Sequence, residues 1–200
     1  MGRPRSFDED EVVGRAMLAF WDHGYEGASI ATLERATGLG RVSLYNAFGD
    51  KHGLFMRGLD RYKAMATAFF DEGFADGGLA SIEGLLASLQ EPKAPDAPQH
   101  RGCLMVNAIL GAGFDENEGE ATTVITAART QMIEGFEGAL RTARSRGEVE
   151  GDDRLLRDRA ELLVSILWGA RVTARLRGDA AAEAGTARAA ADMVAAWRRR

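Results

Sequence analysis

Two hundred residues, 46% of them hydrophobic, are enough for one large domain or for a small domain joined to a medium one. A net charge of −5 and an isoelectric point near 5.3 argue against a general binder of polyanions. The single cysteine, Cys103, excludes an intrachain disulfide and fits a reducing cytosol, and no apolar run reaches the length of a membrane span.

The four prolines are few and leave long stretches uninterrupted, which predicts an all-α chain of about nine helices. Charge is unevenly spread. From Met1 to Lys63 nine basic residues balance nine acidic ones, so the acidity lies beyond Lys63. Any DNA binding by the first third must therefore use a few well-placed cations. The N-terminus has no signal-peptide core, so a cytoplasmic location is expected. Gly2 with Ser6 matches a loose myristoylation pattern, but these residues serve better as part of a basic arm, with Arg3 and Arg5 on either side of Pro4. Twenty-two arginines against three lysines read as nucleotide-composition bias.

Ser6-Phe7-Asp8-Glu9 has the spacing of a capping box and predicts the start of the first helix. Its apolar stripe is Val12, Val13, Ala16, Met17 and Phe20, and Gly24 is its predicted stop. The second helix opens at Ser29, places Ile30, Leu33 and Ala36 on one face and ends at Gly38, which can take the left-handed conformation. A third helix, Arg41 to Phe48, turns Leu44 and Phe48 inward and Arg41, Val42, Ser43, Tyr45, Asn46 and Ala47 outward. So short a helix buries little and is not there for stability alone. Its outward groups can reach base edges and phosphates in a DNA major groove.

Asp50 is the predicted N-cap of a fourth helix, about Lys51 to Phe74, which joins the small module to the rest without a linker. Helical stretches follow at Leu79–Gln90, Gly102–Phe114, Ala121–Arg146, Arg154–Arg177 and Ala180–Arg199. Residues 91–100 hold three of the four prolines and are a predicted loop.

This arrangement resembles the TetR family of bacterial transcriptional regulators. GRPR-x-F, the segment AMLAFWDHGYEGAS, the I-x-x-L-x-x-A-T-G-L helix and R-x-S-L-Y-x-x-F-x-x-K-x-x-L-F carry the resemblance over about sixty residues. RGCLMVNA resembles the start of helix six in one branch of the family. The resemblance implies a homodimer with recognition helices in successive major grooves of a palindromic operator. It also implies a C-terminal domain whose ligand weakens DNA binding. Residues 1–50 are then the helix-turn-helix domain, and 51–200 the ligand-binding and dimerisation domain. Two positions depart from the family pattern. Gly40 stands where a capping Ser or Thr is common, and His52-Gly53 replaces the usual acidic pair at the start of helix four.

The expected DNA contacts are Arg3, Arg5, Ser29, Arg41, Val42, Ser43, Tyr45, Asn46 and Lys51. Arg41 can take guanine O6 and N7 together, Tyr45 and Lys51 match phosphate-contacting positions of the family, and the arm suits the minor groove. The expected ligand pocket draws on Met65, Phe69, Met105, Asn107, Met132, Phe136, Trp168 and Arg171. Arg171 interrupts an apolar run and either faces solvent or reaches a carboxylate or ligand. Cys103, after His100 and Arg101, is either a buried inert thiol or a redox sensor. The three histidines are too scattered for a metal site, no catalytic constellation stands out, and Glu34 and Glu137 read as solvated helix faces. The expected dimer interface is Leu163, Ile166, Leu167, Ala170 and Ala174 with Ala190, Met193, Val194 and Trp197, two apolar faces that a two-fold four-helix bundle would bury.

Together these features predict a ligand-responsive regulator, most simply a repressor. It would bind double-stranded operator DNA as a homodimer and be released by a small-molecule inducer, with no cofactor and no membrane. One alternative puts thiol chemistry at Cys103 in the inducer's place. Another, of a different class, is a carrier or small enzyme whose helix-turn-helix serves protein contacts.

Overall fold

The computed structural model describes residues 7–90, 101–111, 118–177 and 180–199. Within them the chain forms α1 (Glu9–Gly27), α2 (Ile30–Thr37), α3 (Arg41–Phe48), α4 (Lys51–Phe74), α5 (Gly78–Ser88), α6 (Leu104–Gly111), α7 (Glu118–Ser145), α8 (Asp153–Arg177) and α9 (Ala180–Ala196), with short turns among the remaining described residues. An isolated bridge pairs Val149 with Arg198 and pins the end of the chain. None of these helices is long and apolar enough to cross a membrane. Arg3, Arg5 and the predicted loop at 91–100 lie outside the described residues.

Local side-chain caps account for the starts of α1, α2 and α4. Asp8 caps α1, accepting from the amides of Asp10 and Glu11, so the start falls two residues after the expected Ser6. Gly24 breaks the helical path at φ 72° as expected, but a last turn carries α1 on to Gly27. Ser29 caps α2 through the amide of Thr32, and Gly38 closes it at φ 75°. Asp50 caps α4 through the amide of Gly53 at 2.8 Å.

Two hydrophobic cores share the molecule. One joins α1, α2 and α3 to the first turns of α4, around Phe20, Leu33, Leu44, Leu54 and Leu59, and takes in Cys103–Val106 and the start of α7. The other lies between α5, α7, α8 and α9, around Phe136, Leu140, Leu163 and Val194. α4 spans both. Leu54–Leu59 sit in the first core, while Phe70 and Phe74 pack against the second. At 1.5 Å per residue its 24 residues make a rod about 36 Å long, so packing continues across residue 50.

The apolar stripes of α8 and α9 point inward. Leu163, Leu167, Ala170, Ala174, Ala190 and Val194 are buried within the protomer, and Ile166, Met193 and Trp197 pack against the same core. For the six buried residues the expectation that they meet a second subunit is corrected, because α5, α7 and the α8–α9 pairing already cover them, whereas Ile166, Met193 and Trp197 are only partly buried. The side of α8 left open carries Leu162 and Leu176, 45% and 81% exposed, with Ser165 and Gly169 between them. Glu137 is likewise no solvated face. It is 7% exposed and pairs with Arg141 at 2.7 Å and Arg157 at 2.9 Å.

Candidate nucleic-acid interface and ligand cavity

α3 stands out from the first core on a single buried residue, Leu44, which is 2% exposed. Phe48 and Tyr45 are half-buried against that core. Arg41, Val42, Ser43 and Asn46 are open to solvent, and Val42 is 74% exposed, an apolar side chain with no cover in the protomer. The guanidinium of Arg41 lies 5.1 Å from the centre of the Tyr45 ring, which aligns cation and phenol along one edge of the helix.

The start of α3 lacks a side-chain cap because Gly40 occupies that position. Glu34 replaces it. Its Oε1 accepts from the Arg41 amide at 2.6 Å, so the carboxylate serves the helix N-terminus electrostatically as well. Reading Glu34 as a solvated face is corrected, since its partner belongs to the next helix. Gly53 has a similar explanation. A Cβ there would stand 2.1 Å from the carbonyl oxygen of Phe48, so a residue with no side chain lets the end of α3 seat against α4. Lys51, one position inside α4, donates to the carbonyl of Glu26 at 3.4 Å and covers the Tyr25 ring at 4.6 Å. Its ammonium is thereby held beside a helix N-terminus.

A cavity of about 240 Å³ lies between α4, the end of α5, the start of α6, α7 and α8. Of the residues expected at a ligand pocket, Met65, Phe69, Met105, Met132, Trp168 and Arg171 line this cavity. Phe136 and Asn107 do not. Phe136 is fully buried in the second core, its ring 4.8 Å from that of Phe74. Asn107 is 8% exposed, and its Nδ2 donates to the carbonyl of Arg101 at 2.5 Å. Met65 and Phe69, 56% and 43% exposed, leave the cavity open on the α4 side.

Sequence reasoning missed Tyr62, Ser88, Leu89 and Leu167, and it did not place Cys103 in this wall. Tyr62 carried a usable signal, for it stands three residues before Met65 and seven before Phe69, on the same helical stripe. Burial, reinforced by the adjacent Cys103, raises the Tyr62 phenol far above its ordinary range and keeps it a hydrogen-bond donor. Arg171 reaches a carboxylate. Its Nη1 sits 3.0 and 3.1 Å from the two oxygens of Glu183, a residue of α9 that is 6% exposed. Among the described residues no three His, Cys, Asp or Glu side chains gather as a metal site.

The family model for bacterial regulatory proteins of the tetR family matches residues 14–57, which include α2, α3 and the start of α4. The HTH-type transcriptional repressor ComR of Escherichia coli K12 is 32% identical over 180 residues, 87% of this chain and 82% of that one. The chain belongs to the TetR family of bacterial transcriptional regulators. The regulator YezE of Bacillus subtilis 168 is 28% identical over 87% of this chain and 91% of its own length. A cysteine mutant of the regulator CifR, solved with 26-bp double-strand operator DNA, superposes with a TM-score of 0.81 at 29% identity, covering 96% of this chain and 98% of that one.

In this TetR-family chain the cavity wall and the helix-turn-helix are joined by direct contacts. The Tyr62 ring meets the Trp21 ring of α1 edge-on, with centroids 4.9 Å apart. The carbonyl of Arg101 accepts from Trp21 Nε1 at 3.1 Å, Arg175 Nη1 at 3.1 Å and Asn107 Nδ2 at 2.5 Å. Arg101 also forms an ion pair with Asp22 of α1. Gly102 follows at φ 70°, and a Cβ there would stand 3.0 Å from the carbonyl oxygen of Arg171. The segment Arg101–Cys103 is therefore wedged between α1 and α8, with Cys103 in the cavity wall.

Proposed function

We propose that this protein is a repressor that binds a palindromic operator as a homodimer and lets go when a small molecule fills the cavity. The observation that carries the reading is the double duty of α4 and the Arg101–Cys103 wedge. Each borders the cavity and also holds the module that presents Arg41, Val42, Ser43 and Asn46, α4 through the shared core and the wedge through α1. A ligand that prefers one placement of the wedge shifts the population toward it and tilts α1, and with α1 the paired recognition helices. Loosening the operator 100-fold requires about 2.7 kcal/mol of coupling.

On DNA, Arg41 takes a guanine edge, Val42 offers an apolar contact to a thymine methyl, and Ser43 and Asn46 face the remaining base edges. Tyr45, Lys51 and Ser29 fix the register on phosphates. The dimer uses the open side of α8, with Leu162, Gly169, Thr173 and Leu176 against their two-fold mates and the exposed Ala189 and Ala196 of α9 alongside. The repressors among the relatives support the sign of regulation, and the operator-bound CifR supports the mode of binding.

Enrichment of random 40-bp duplexes followed by fluorescence anisotropy tests the proposal. The expected product is an inverted repeat whose half-sites lie about 34 Å apart, one helical turn. Arg41→Ala should weaken it by roughly 10- to 100-fold. Failure to enrich any sequence would refute the reading. A second trigger, thiol modification, is favoured by the position of Cys103 in the cavity wall. Release by an oxidant that Cys103→Ser abolishes, with no effect of reversible ligands, would establish it in place of the first.

A further inference from the structure

The described lining of the cavity is mostly apolar, and its few polar groups restrict what can fill it. Tyr62, Cys103 and Arg171 supply polar groups, Ser88 has a hydroxyl already committed to the carbonyl of Leu85 at 2.8 Å, and Phe70, Met105, Met132 and Trp168 supply apolar wall. Tyr62 and Cys103 share one stretch of the cavity wall, and burial keeps the phenol protonated and so a donor. A neighbouring thiol sulfur is a weak acceptor, so a carbonyl oxygen arriving there is the better partner for that hydroxyl. Arg171 is the one cationic side chain among the described residues lining the cavity. Its charge is already matched by Glu183, at 3.0 and 3.1 Å through Nη1 alone. A carboxylate ligand would have to share that cation with a buried carboxylate and meet its repulsion. A pure hydrocarbon would instead fill the walls while cutting the polar donors off from water.

We propose, resting on the ligand-gated reading above, that the cavity selects small uncharged molecules with an aromatic or apolar body and one carbonyl-type oxygen, which accepts from the Tyr62 hydroxyl while the body lies between Phe70, Met105, Met132 and Trp168. At about 240 Å³ the space falls below the roughly 300–1,000 Å³ of drug-sized sites, so the body is close to a single ring in size.

Three probes of nearly equal shape separate the possibilities: acetophenone, benzoate and ethylbenzene. The full-length protein is titrated with each, following tryptophan fluorescence, and Trp168→Phe identifies the signal that comes from the cavity. Acetophenone should bind roughly fivefold to tenfold more tightly than ethylbenzene, the range of one buried hydrogen bond, and benzoate more weakly than both. Tyr62→Phe, which keeps the ring against Trp21, should erase the advantage of acetophenone and leave ethylbenzene within about twofold of its wild-type affinity. Equal binding of ethylbenzene and acetophenone to the wild type would overturn the inference and leave the ligand-gated reading standing. Benzoate binding best would overturn it in favour of an anionic inducer. No binding of any probe, by a protein that still holds its operator, would remove the inference and count against the ligand-gated reading beneath it.

Discussion

The helix-turn-helix and the cavity domain are built from the same helical material but obey different controls. In the first, helix bounds are set by single local devices: Asp8 and Ser29 as caps of α1 and α2, Gly38 as a stop, Asp50 as the cap of the following α4, and Leu44 as the one buried anchor of α3. In the second, long helices leave their apolar stripes to be assigned by tertiary packing. Local devices act within four residues and are visible in a sequence. A stripe states which residues share a face, but not which way that face looks. Substitutions should therefore divide by region, with fold stability responding in the cavity domain and recognition geometry in the helix-turn-helix.

The largest effect should follow truncation in the second core. Phe136→Ala and Leu163→Ala remove fully buried side chains and should each cost about 3–5 and 2–5 kcal/mol respectively in urea-induced unfolding. If Leu163 formed a subunit interface in place of a protomer core, the loss would depend on protein concentration. Independence of concentration is the expected result, provided that subunit dissociation is followed separately.

Gly53→Ala should come next. Its new Cβ would meet the Phe48 carbonyl at 2.1 Å and must push α3 off α4, at roughly 1–3 kcal/mol. Because the clash falls at the base of the recognition helix, operator affinity should fall more than global stability does. Comparing anisotropy titrations with thermal unfolding would separate the two. Equal losses would mean that α3 and the core yield together.

The same contrast governs how much was legible in the sequence. The bounds of α3 and α4 are read correctly from Arg41–Phe48 and Lys51–Phe74, because Gly38 and Gly40 mark the break before α3 and Asp50 caps α4. Six of the eight expected cavity residues line the cavity, since Met and aromatic positions on facing helices meet wherever such helices pack. Asn107 interrupts an apolar run for a reason outside that run, namely the carbonyl of Arg101. Glu34 and Glu137 look solvated in isolation because their partners, the Arg41 amide and Arg157, lie seven and twenty residues away on other helices. Tyr62 acquires its role only when Cys103 and Trp21 arrive from distant parts of the chain.

Glu34→Ala tests whether α3 depends on a borrowed cap. Gly40 offers no side chain, so removing the carboxylate should cost about 1 kcal/mol, the usual value of an N-cap. Amide hydrogen exchange should locate the loss in the first turn of α3. Unchanged protection there would mean that water serves the Arg41 amide equally well.

The smallest change in protomer stability belongs to the open side of α8. Leu162→Ala and Leu176→Ala should leave the intrinsic unfolding free energy within about 0.5 kcal/mol, because neither side chain is buried in the protomer. Sedimentation equilibrium gives these variants their discriminating power. If this side of α8 is the subunit contact, the pair of substitutions should raise the dimer dissociation constant by an order of magnitude or more, and operator binding should become steeply dependent on protein concentration. An unchanged dimer would move the two-fold axis elsewhere and leave a leucine at 81% exposure without a partner. The inward stripe of α8 would still belong to the protomer, so the outcome separates what holds one chain together from what joins two.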